Sequence, residues 1–142
     1  MPTGSGKSLI YQLTALAFSP LVALMKDQAD SLTRRGIAAT FINSTLDPAE
    51  QNRRLNGMAT SKYKIVLVAP ERLRNTLFRQ ALARVSLSLF VVDEAHCLSQ
   101  WGHDFRPDYL HIAAARREFK PPLTLALTAT ATERVHGVCA AC

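Results

Sequence analysis

The chain begins with a short loop, and its sequence is Thr3-Gly4-Ser5-Gly6-Lys7-Ser8. Gly4 and Gly6 allow the backbone to curl so that several N–H groups face one anion. The Lys7 ammonium has the reach to contact the β- and γ-phosphates of a nucleotide, and the Ser8 hydroxyl is a ligand for Mg²⁺. The apolar run at 9–13 predicts a helix whose N-terminal dipole faces those phosphates. The six loop residues are therefore candidate contacts for ATP with Mg²⁺, and the lysine is also a candidate catalytic residue.

The loop departs from the strict phosphate-loop pattern at one position. Met1 stands where the first glycine of G-x-x-x-x-G-K-[ST] belongs. A flexible, Gly/Ser-rich terminus that happens to hold a lysine is the alternative interpretation. A second motif, further along the chain, favours the nucleotide site.

This second motif is a strand followed by two carboxylates, and its Asp93 lies 86 residues after Lys7. The apolar run 87–92 predicts a buried parallel strand, and its carboxyl end is where open α/β sheets place a ligand crevice. Asp93 is predicted to hold Mg²⁺ directly or through water, Glu94 to orient and deprotonate the attacking water, and His96 to sense the γ-phosphate. A lone Asp-Glu pair is more often an acidic strand end that caps the next helix, and the upstream loop reverses that preference.

Composition favours one intracellular domain with a polyanionic partner. The chain has 142 residues, 48% of them apolar, and a formal net charge of +6. Such a charge favours a nucleic-acid partner, although it fits many other proteins. Three cysteines give no disulfide framework. The apolar stretch 9–24 contains a proline and is too short to cross a bilayer, so the predicted location is the cytoplasm, nucleoid or nucleus.

Helices and strands alternate along the chain, which predicts an α/β fold with a parallel sheet and helices on both faces. The predicted helices cover 7–17, 21–35, 48–59, 71–84, 109–119 and a segment that opens near Thr132. The predicted strands cover 37–42, 64–68, 87–92 and 123–127, and a polar, aromatic loop covers 99–108.

The spacing between the first two predicted helices leaves no room for a strand. Only two residues separate the end of 7–17 from Pro20, whereas a strand with two loops needs ~10 or more residues. We therefore expect the sheet to lack a strand before Pro20, and to lack the strand that would lead into the loop at Met1. The alternative is that 13–19 leaves the helix and fills the gap.

Several segments resemble the motifs of the RecQ family, in helicase superfamily 2. Residues 1–12 resemble motif I, 19–28 motif Ia, 69–73 motif Ib, 93–97 motif II and 127–132 motif III. The most diagnostic stretch is Leu98-Ser99-Gln100-Trp101-Gly102-His103-Asp104-Phe105-Arg106-Pro107-Asp108-Tyr109. It is similar to the aromatic-rich loop that separates RecQ-type enzymes from other DEAH-box proteins.

The resemblance implies an ATP-dependent DNA helicase that moves 3′ to 5′ on a single strand and acts in DNA repair and recombination. Residues 1–142 would form its first RecA-like lobe, truncated at both ends, and its partners would be single-stranded DNA and the duplex junction. The second RecA-like lobe is expected to be absent from this chain, so the chain alone is expected to be inactive. The alternatives are a non-catalytic nucleotide- or DNA-binding fragment, an RNA-directed DEAH-box enzyme and a P-loop kinase.

The aromatic loop is the predicted DNA contact. Trp101, Phe105 and Tyr109 offer flat faces on which unpaired bases can stack, at ~1–3 kcal/mol per base. His103 and Arg106 add charge beside them. Because the loop follows directly from the hydrolytic carboxylates, DNA contact could reposition them. The alternative is that the aromatic rings fill a gap in the core.

Two further groups of residues complete the predicted site. Ser19, Pro20 and the amides that begin the next helix are predicted to grip DNA phosphates, and Lys26 either adds charge to that grip or lies on a solvated face. The predicted coupling residues, which link the nucleotide site to DNA and to the other lobe, are Gln100, Thr128 and Thr130. The two threonines have an alternative role in beginning the last helix.

Overall fold

The computed structural model of the protein describes residues 14–98 and 106–127. The strands in these ranges are β1 Thr14–Phe18, β2 Ala39–Ile42, β3 Ile65–Val68, β4 Leu87–Val92 and β5 Thr124–Ala126. The helices are α1 Val22–Arg34, α2 Pro48–Ala59, α3 Thr76–Leu82 and α4 Asp108–Phe119, with 3₁₀ helices at Pro70–Arg74 and Ala95–Leu98. The strands form one sheet in the order β2-β3-β1-β4-β5, and all neighbouring pairs are parallel. The predicted α/β class with a parallel sheet is therefore confirmed.

Helices pack on both faces of the sheet, and they divide the core into two parts. We call the two sides the three-helix face and the α1 face. On the three-helix face, side chains of α2, α3 and α4 cover the strand residues Leu16, Phe18, Val66, Val68, Phe90 and Val92. On the α1 face, Met25 and Ala29 pack against Phe41 and Leu67. The described residues leave the β5 end of the α1 face open, where three leucines are 44–60% exposed: Leu123, Leu125 and Leu127.

The chain changes direction across the sheet between β1 and β4. After β1 it runs through α1 to β2 on one side, and after β4 it runs through α4 to the neighbouring β5 on the other side. These two connecting helices lie on opposite faces of the sheet. The carboxyl ends of β1 and β4 therefore form a topological switch point, the place where open α/β sheets bind ligands.

The prediction of a helix over 7–17 and of no strand before Pro20 is wrong, because Thr14–Phe18 is a central strand. Its backbone pairs with β3 on one side and β4 on the other, and Leu16 and Phe18 are fully buried. The Ala- and Leu-rich sequence favours a helix locally, but that preference is weak and two-sided strand pairing overrides it. The alternative interpretation, that 13–19 leaves the helix, is confirmed for the strand. The strand expected to be missing ahead of the loop is not tested by the described residues.

The predicted helix 71–84 is also wrong, because it is two helices separated at Asn75. The backbone of Asn75 is extended, and its side chain accepts a hydrogen bond from the Phe78 amide, which begins α3. Asparagine caps helices in this way because its side-chain oxygen satisfies an amide that the helix leaves unpaired. The other described helices and strands lie within two residues of their predicted bounds, and Asp47 caps α2 through the Glu50 amide as predicted.

Substituting Gly57 in α2 with alanine is expected to destabilise the protein although alanine favours helix. The new Cβ would lie 2.6 Å from a ring carbon of Tyr63, so the ring must move. We expect the free energy of unfolding in urea to fall by about 1–3 kcal/mol, against a helix-propensity gain of ~1 kcal/mol. In a Tyr63→Ala background the same substitution should be neutral or stabilising. An equal loss in both backgrounds would show that the ring is not the cause.

Candidate active site

A crevice opens at the switch point between the ends of β1 and β4. Ser19 follows β1 and Asp93 follows β4, and the Asp93 amide donates to the Phe18 carbonyl at 2.8 Å. Both residues line a cavity of about 540 Å³ whose other walls come from α1, from the middle of the sheet and from Leu127. Much of this lining is apolar, with a few polar groups at the strand ends. This combination is typical of small-ligand sites.

The Asp93–Glu94 turn is held in an unusual backbone conformation. Glu94 has a positive φ of 52°, in the left-handed region, and its amide donates to Asp93 Oδ1 at 2.9 Å. The following amide, that of Ala95, donates to the Leu127 carbonyl at 2.8 Å and so ties the turn to the end of β5. A left-handed glutamate costs about 1–3 kcal/mol, and such residues cluster at functional sites. Both carboxylates are half-buried at the mouth of the crevice.

Tyr109 supports this turn from the core. Its side chain is fully buried in the three-helix face, and its hydroxyl donates to the Asp93 carbonyl at 2.9 Å. Burial raises the pKa of the Tyr109 phenol far above its usual value, and negative charge on Cys97 and Asp93 raises it further. The prediction that Tyr109 offers a face for stacking DNA bases is therefore wrong. Its ring is enclosed because it lies on the first turn of α4, on the side that packs against the sheet.

The predicted phosphate grip at the start of α1 is partly engaged within the protein. The Ser19 side chain is 3% exposed, and its Oγ accepts a hydrogen bond from the Leu21 amide at 3.3 Å. Pro20 is half-buried beside it. Ser19 therefore shapes the turn into α1, and a direct contact with a phosphate stays a prediction.

Lys26 lies on the solvated side of α1. Its ammonium contacts Asp30 Oδ2 at 2.7 Å, and both side chains are at least half exposed. The hydrogen bond and the charge of Asp30 raise the pKa of Lys26, and the same lysine lowers the pKa of Asp30. Surface pairs at this spacing are worth little to stability. The pair does not remove Lys26 from reach of a DNA phosphate, and that contact stays a prediction.

Arg106 marks the point where the chain returns from the aromatic loop. It is exposed, and its amide donates to the Cys97 carbonyl at 3.1 Å, while the Tyr109 amide donates to the Arg106 carbonyl at 3.0 Å. These hydrogen bonds join the two ends of the loop just below the carboxylate turn. Arg106 therefore has the position expected of a loop residue that reaches solvent.

Many predicted site residues lie outside the part of the chain that the structure describes. They are Thr3, Gly4, Ser5, Gly6, Lys7, Ser8, Gln100, Trp101, His103, Phe105, Thr128 and Thr130, together with the side chain of His96. Their roles stay predictions. Of the described candidates, the structure brings Ser19 and Asp93 to one cavity and places Glu94 next to it.

Sequence reasoning missed the support that Tyr109 gives to Asp93. The available signal was a tyrosine on the first turn of a helix that follows the acidic motif. A tyrosine that is buried in a core usually finds a hydrogen-bond partner for its hydroxyl. The left-handed backbone at Glu94 had no signal in the sequence, because glutamate has no preference for that region.

A parallel sheet with two carboxylates at its switch point defines the class of α/β nucleotide-binding domains. Comparison with known proteins narrows this class. The chain belongs to the DEAD/DEAH box helicase family, because the family model of that description matches residues 1–138 of the 142. A domain of this family is a helicase and ATPase domain.

The curated relatives that match this chain are RecQ helicases. The chain is 49% identical to "ATP-dependent DNA helicase RecQ" of Bacillus subtilis, over 96% of this chain and 24% of that protein. It is 42% identical to the protein of the same name from Haemophilus influenzae, over 92% of this chain and 22% of that protein. The predicted resemblance to the RecQ family is thereby confirmed. The chain spans about a quarter of the length of these relatives.

Solved structures show the same fold at low identity. A hypothetical ATP-dependent RNA helicase from Sulfolobus tokodaii matches with a TM-score of 0.69 and 21% identity, over 99% of this chain and 43% of that one. The SWI2/SNF2 ATPase core of Sulfolobus solfataricus, solved with double-stranded DNA, matches with a TM-score of 0.58 and 19% identity, over 89% and 23%. The predicted RecA-like fold is confirmed. Within the described residues, none of the helices has the length and apolar character needed to cross a membrane.

Proposed function

We propose that this chain binds ATP with Mg²⁺ at the crevice between β1 and β4 and hydrolyses it, as the first RecA-like lobe of a RecQ-type DNA helicase. The observation that carries the proposal is the Asp93–Glu94 turn, held at the switch point beside a cavity of about 540 Å³. The family assignment supports the use of a nucleotide. The names of the relatives support DNA as the partner and helicase action as the purpose of hydrolysis.

The residues at the crevice fit a magnesium ion. Mg²⁺ prefers hard oxygen ligands, keeps several waters, and is usually bound through one or two carboxylates together with substrate phosphates. Asp93 supplies a half-buried carboxylate at the strand end, and one of its oxygens is already oriented by the Glu94 amide. Asp93 and Ser8 are the residues that would hold the ion. When bound, the ion would neutralise charge that develops on the transferred phosphate.

Glu94 is the residue that we assign to the attacking water. A general base must lie within hydrogen-bond reach of the proton that it removes, and its backbone position decides that reach. The left-handed conformation at Glu94 turns the chain sharply after β4, so the carboxylate leaves the strand in a different direction from that of Asp93. Two adjacent carboxylates can therefore serve different partners, one the metal and the other the water.

The connection to the phosphate loop is long enough for Lys7 to take part. Seven residue steps separate Lys7 from Thr14, which begins β1 at the amino edge of the sheet. The rise from Thr14 to Ser19 at the carboxyl edge is about 17 Å. Seven steps span about 10 Å as helix and about 23 Å as extended chain, so the required rise falls between the two limits. Lys7 can thus reach the level of Asp93.

Helicase action requires more than this chain. An arginine finger from a second lobe contributes ~10³–10⁵ in rate, which is roughly 4–7 kcal/mol of barrier. Movement along DNA, 3′ to 5′ by the resemblance, also needs two lobes that close and open on ATP. We therefore propose that the chain alone binds nucleotide, hydrolyses it slowly and does not unwind a duplex or its junction. Roles in DNA repair and recombination would belong to the complete enzyme.

Substituting Lys7 with alanine is expected to weaken nucleotide binding roughly 10- to 150-fold, since a hydrogen bond to a charged group contributes about 1.5–3 kcal/mol. The measurement is a fluorescence titration of the purified chain with mant-ATP in the presence of Mg²⁺. The control is Lys62→Ala, which removes an exposed lysine near Tyr63. Equal affinities for the Lys7 variant and the unmodified chain would contradict the proposal. Tight binding without hydrolysis would instead support a non-catalytic nucleotide-binding fragment.

A further inference from the structure

We propose that Tyr109 is a positioning residue that holds the Asp93–Glu94 turn and connects it to the aromatic loop at 99–105. The inference rests on the proposed ATP hydrolysis, because it concerns how the hydrolytic carboxylate is oriented. Two observations carry it. The Tyr109 hydroxyl donates to the Asp93 carbonyl across 16 residues of sequence, and Tyr109 begins the helix that follows the loop.

The hydrogen bond from Tyr109 acts on the peptide that joins the two carboxylate residues. The Asp93 carbonyl belongs to the peptide group between Asp93 and Glu94, so a donor at 2.9 Å fixes the plane of that group. The same peptide group also presents the Glu94 amide to Asp93 Oδ1. Holding this plane maintains the positive φ at Glu94, a conformation that an L-residue other than glycine adopts unfavourably.

Burial makes this hydrogen bond dependable. The Tyr109 side chain is fully buried, so water does not compete for the hydroxyl or replace it as donor. The raised pKa of the phenol keeps the proton on the oxygen at neutral pH, and Tyr109 therefore stays a donor. A buried carbonyl that lost this partner would pay a desolvation penalty, which gives the turn a reason to shift.

The path from the loop to the turn is short. The Arg106 amide donates to the Cys97 carbonyl, and the Tyr109 amide donates to the Arg106 carbonyl. Arg106 is exposed and directly follows 99–105, whereas Tyr109 lies one helical turn further on and is buried. A displacement of Arg106 by DNA would therefore be transmitted through one turn of backbone to the Tyr109 hydroxyl and then to Glu94.

The test is Tyr109→Phe in the full chain, which keeps the ring in the core and removes only the hydroxyl. We expect the single-turnover rate constant for ATP hydrolysis to fall about tenfold, the effect of one ordinary hydrogen bond, and the dissociation constant for mant-ATP to stay within about twofold. The matched control is Tyr63→Phe, the same chemical change at the amino edge of the sheet, which should leave the rate unchanged. Equal rates for the Tyr109 variant and the unmodified chain would overturn the proposal.

A second measurement separates this inference from the proposed function. Amide hydrogen exchange of the ¹⁵N-labelled chain reports the turn without any nucleotide. In Tyr109→Phe the Glu94 and Ala95 amides should exchange about tenfold faster, whereas the Phe90 amide, bonded to the Leu123 carbonyl in the same strand, should not change. This pattern in a chain that fails to hydrolyse ATP would sustain the positioning role and reject the hydrolysis. A uniform increase over all amides would show a general loss of stability and overturn the positioning role.

Discussion

Replacing Glu94 with glutamine is expected to lower the rate constant for ATP hydrolysis about 10²–10⁴-fold, or to the uncatalysed background, while nucleotide affinity is unchanged. The amide keeps the size and hydrogen-bonding capacity of the side chain, but it cannot accept a proton from water. The backbone contacts that hold the turn, from the Glu94 amide to Asp93 and from the Ala95 amide to Leu127, do not involve the carboxylate. The variant should therefore bind mant-ATP like the unmodified chain.

The measurement for Glu94→Gln is single-turnover hydrolysis of γ-labelled ATP with the chain in excess, because the basal rate without a second lobe is expected to be slow. The matched control is Glu118→Gln, the same chemical change in an exposed pair with Arg79 near the end of α4. The control should hydrolyse ATP at the unmodified rate. If both variants hydrolyse ATP equally fast, Glu94 is not the general base, and the assignment of the two carboxylates to separate roles fails.

The part of the site formed by β4 could be predicted from sequence because its information is local. The run 87–92 is apolar at five of six positions, which is typical of a strand covered on both faces, and the carboxylates that follow mark its end. The structure places β4 at Leu87–Val92 and Asp93 at the crevice, as predicted.

The support for the site could not be predicted because it depends on distant partners. β1 pairs with residues about 50 and 75 positions away, so its five residues show helical propensity locally and gain a strand conformation only from those neighbours. The Tyr109 hydroxyl likewise depends on a carbonyl 16 residues away, and a carbonyl has no signature in the sequence. Spacing alone left open that 13–19 forms a strand, but it could not choose between the two interpretations.

The position of β1 matters for function because β1 forms one wall of the crevice. Its end places Ser19 opposite Asp93, and the Phe18 carbonyl accepts the Asp93 amide. Phe18 also packs against Phe90 of β4, with ring centroids 4.9 Å apart. A chain in which these residues were helical would have β3 and β4 as neighbours and would have no switch point between them. The strand assignment and the nucleotide proposal are therefore linked.

Substituting Leu16 with alanine tests that link, and it is expected to lower the free energy of unfolding by about 2–5 kcal/mol. Leu16 lies at the centre of β1, is fully buried, and pairs in register with Val66 and Phe90 of the neighbouring strands. Removing its side chain leaves a cavity between strands that are hydrogen-bonded on both sides and cannot close around it. A domain of this size is stable by on the order of 5–15 kcal/mol, so the variant would lose a large part of its stability.

The measurement for Leu16→Ala is urea unfolding followed by circular dichroism, with Leu77→Ala as the matched control. Leu77 is 58% exposed on α3, and removal of its side chain should change the free energy of unfolding by no more than about 0.5 kcal/mol. The same leucine-to-alanine change thus has very different expected effects, because one side chain is enclosed by the sheet and three helices and the other faces water. Similar small losses for both variants would mean that Leu16 is not in the core, and the crevice wall that positions Asp93 would then be lost with it.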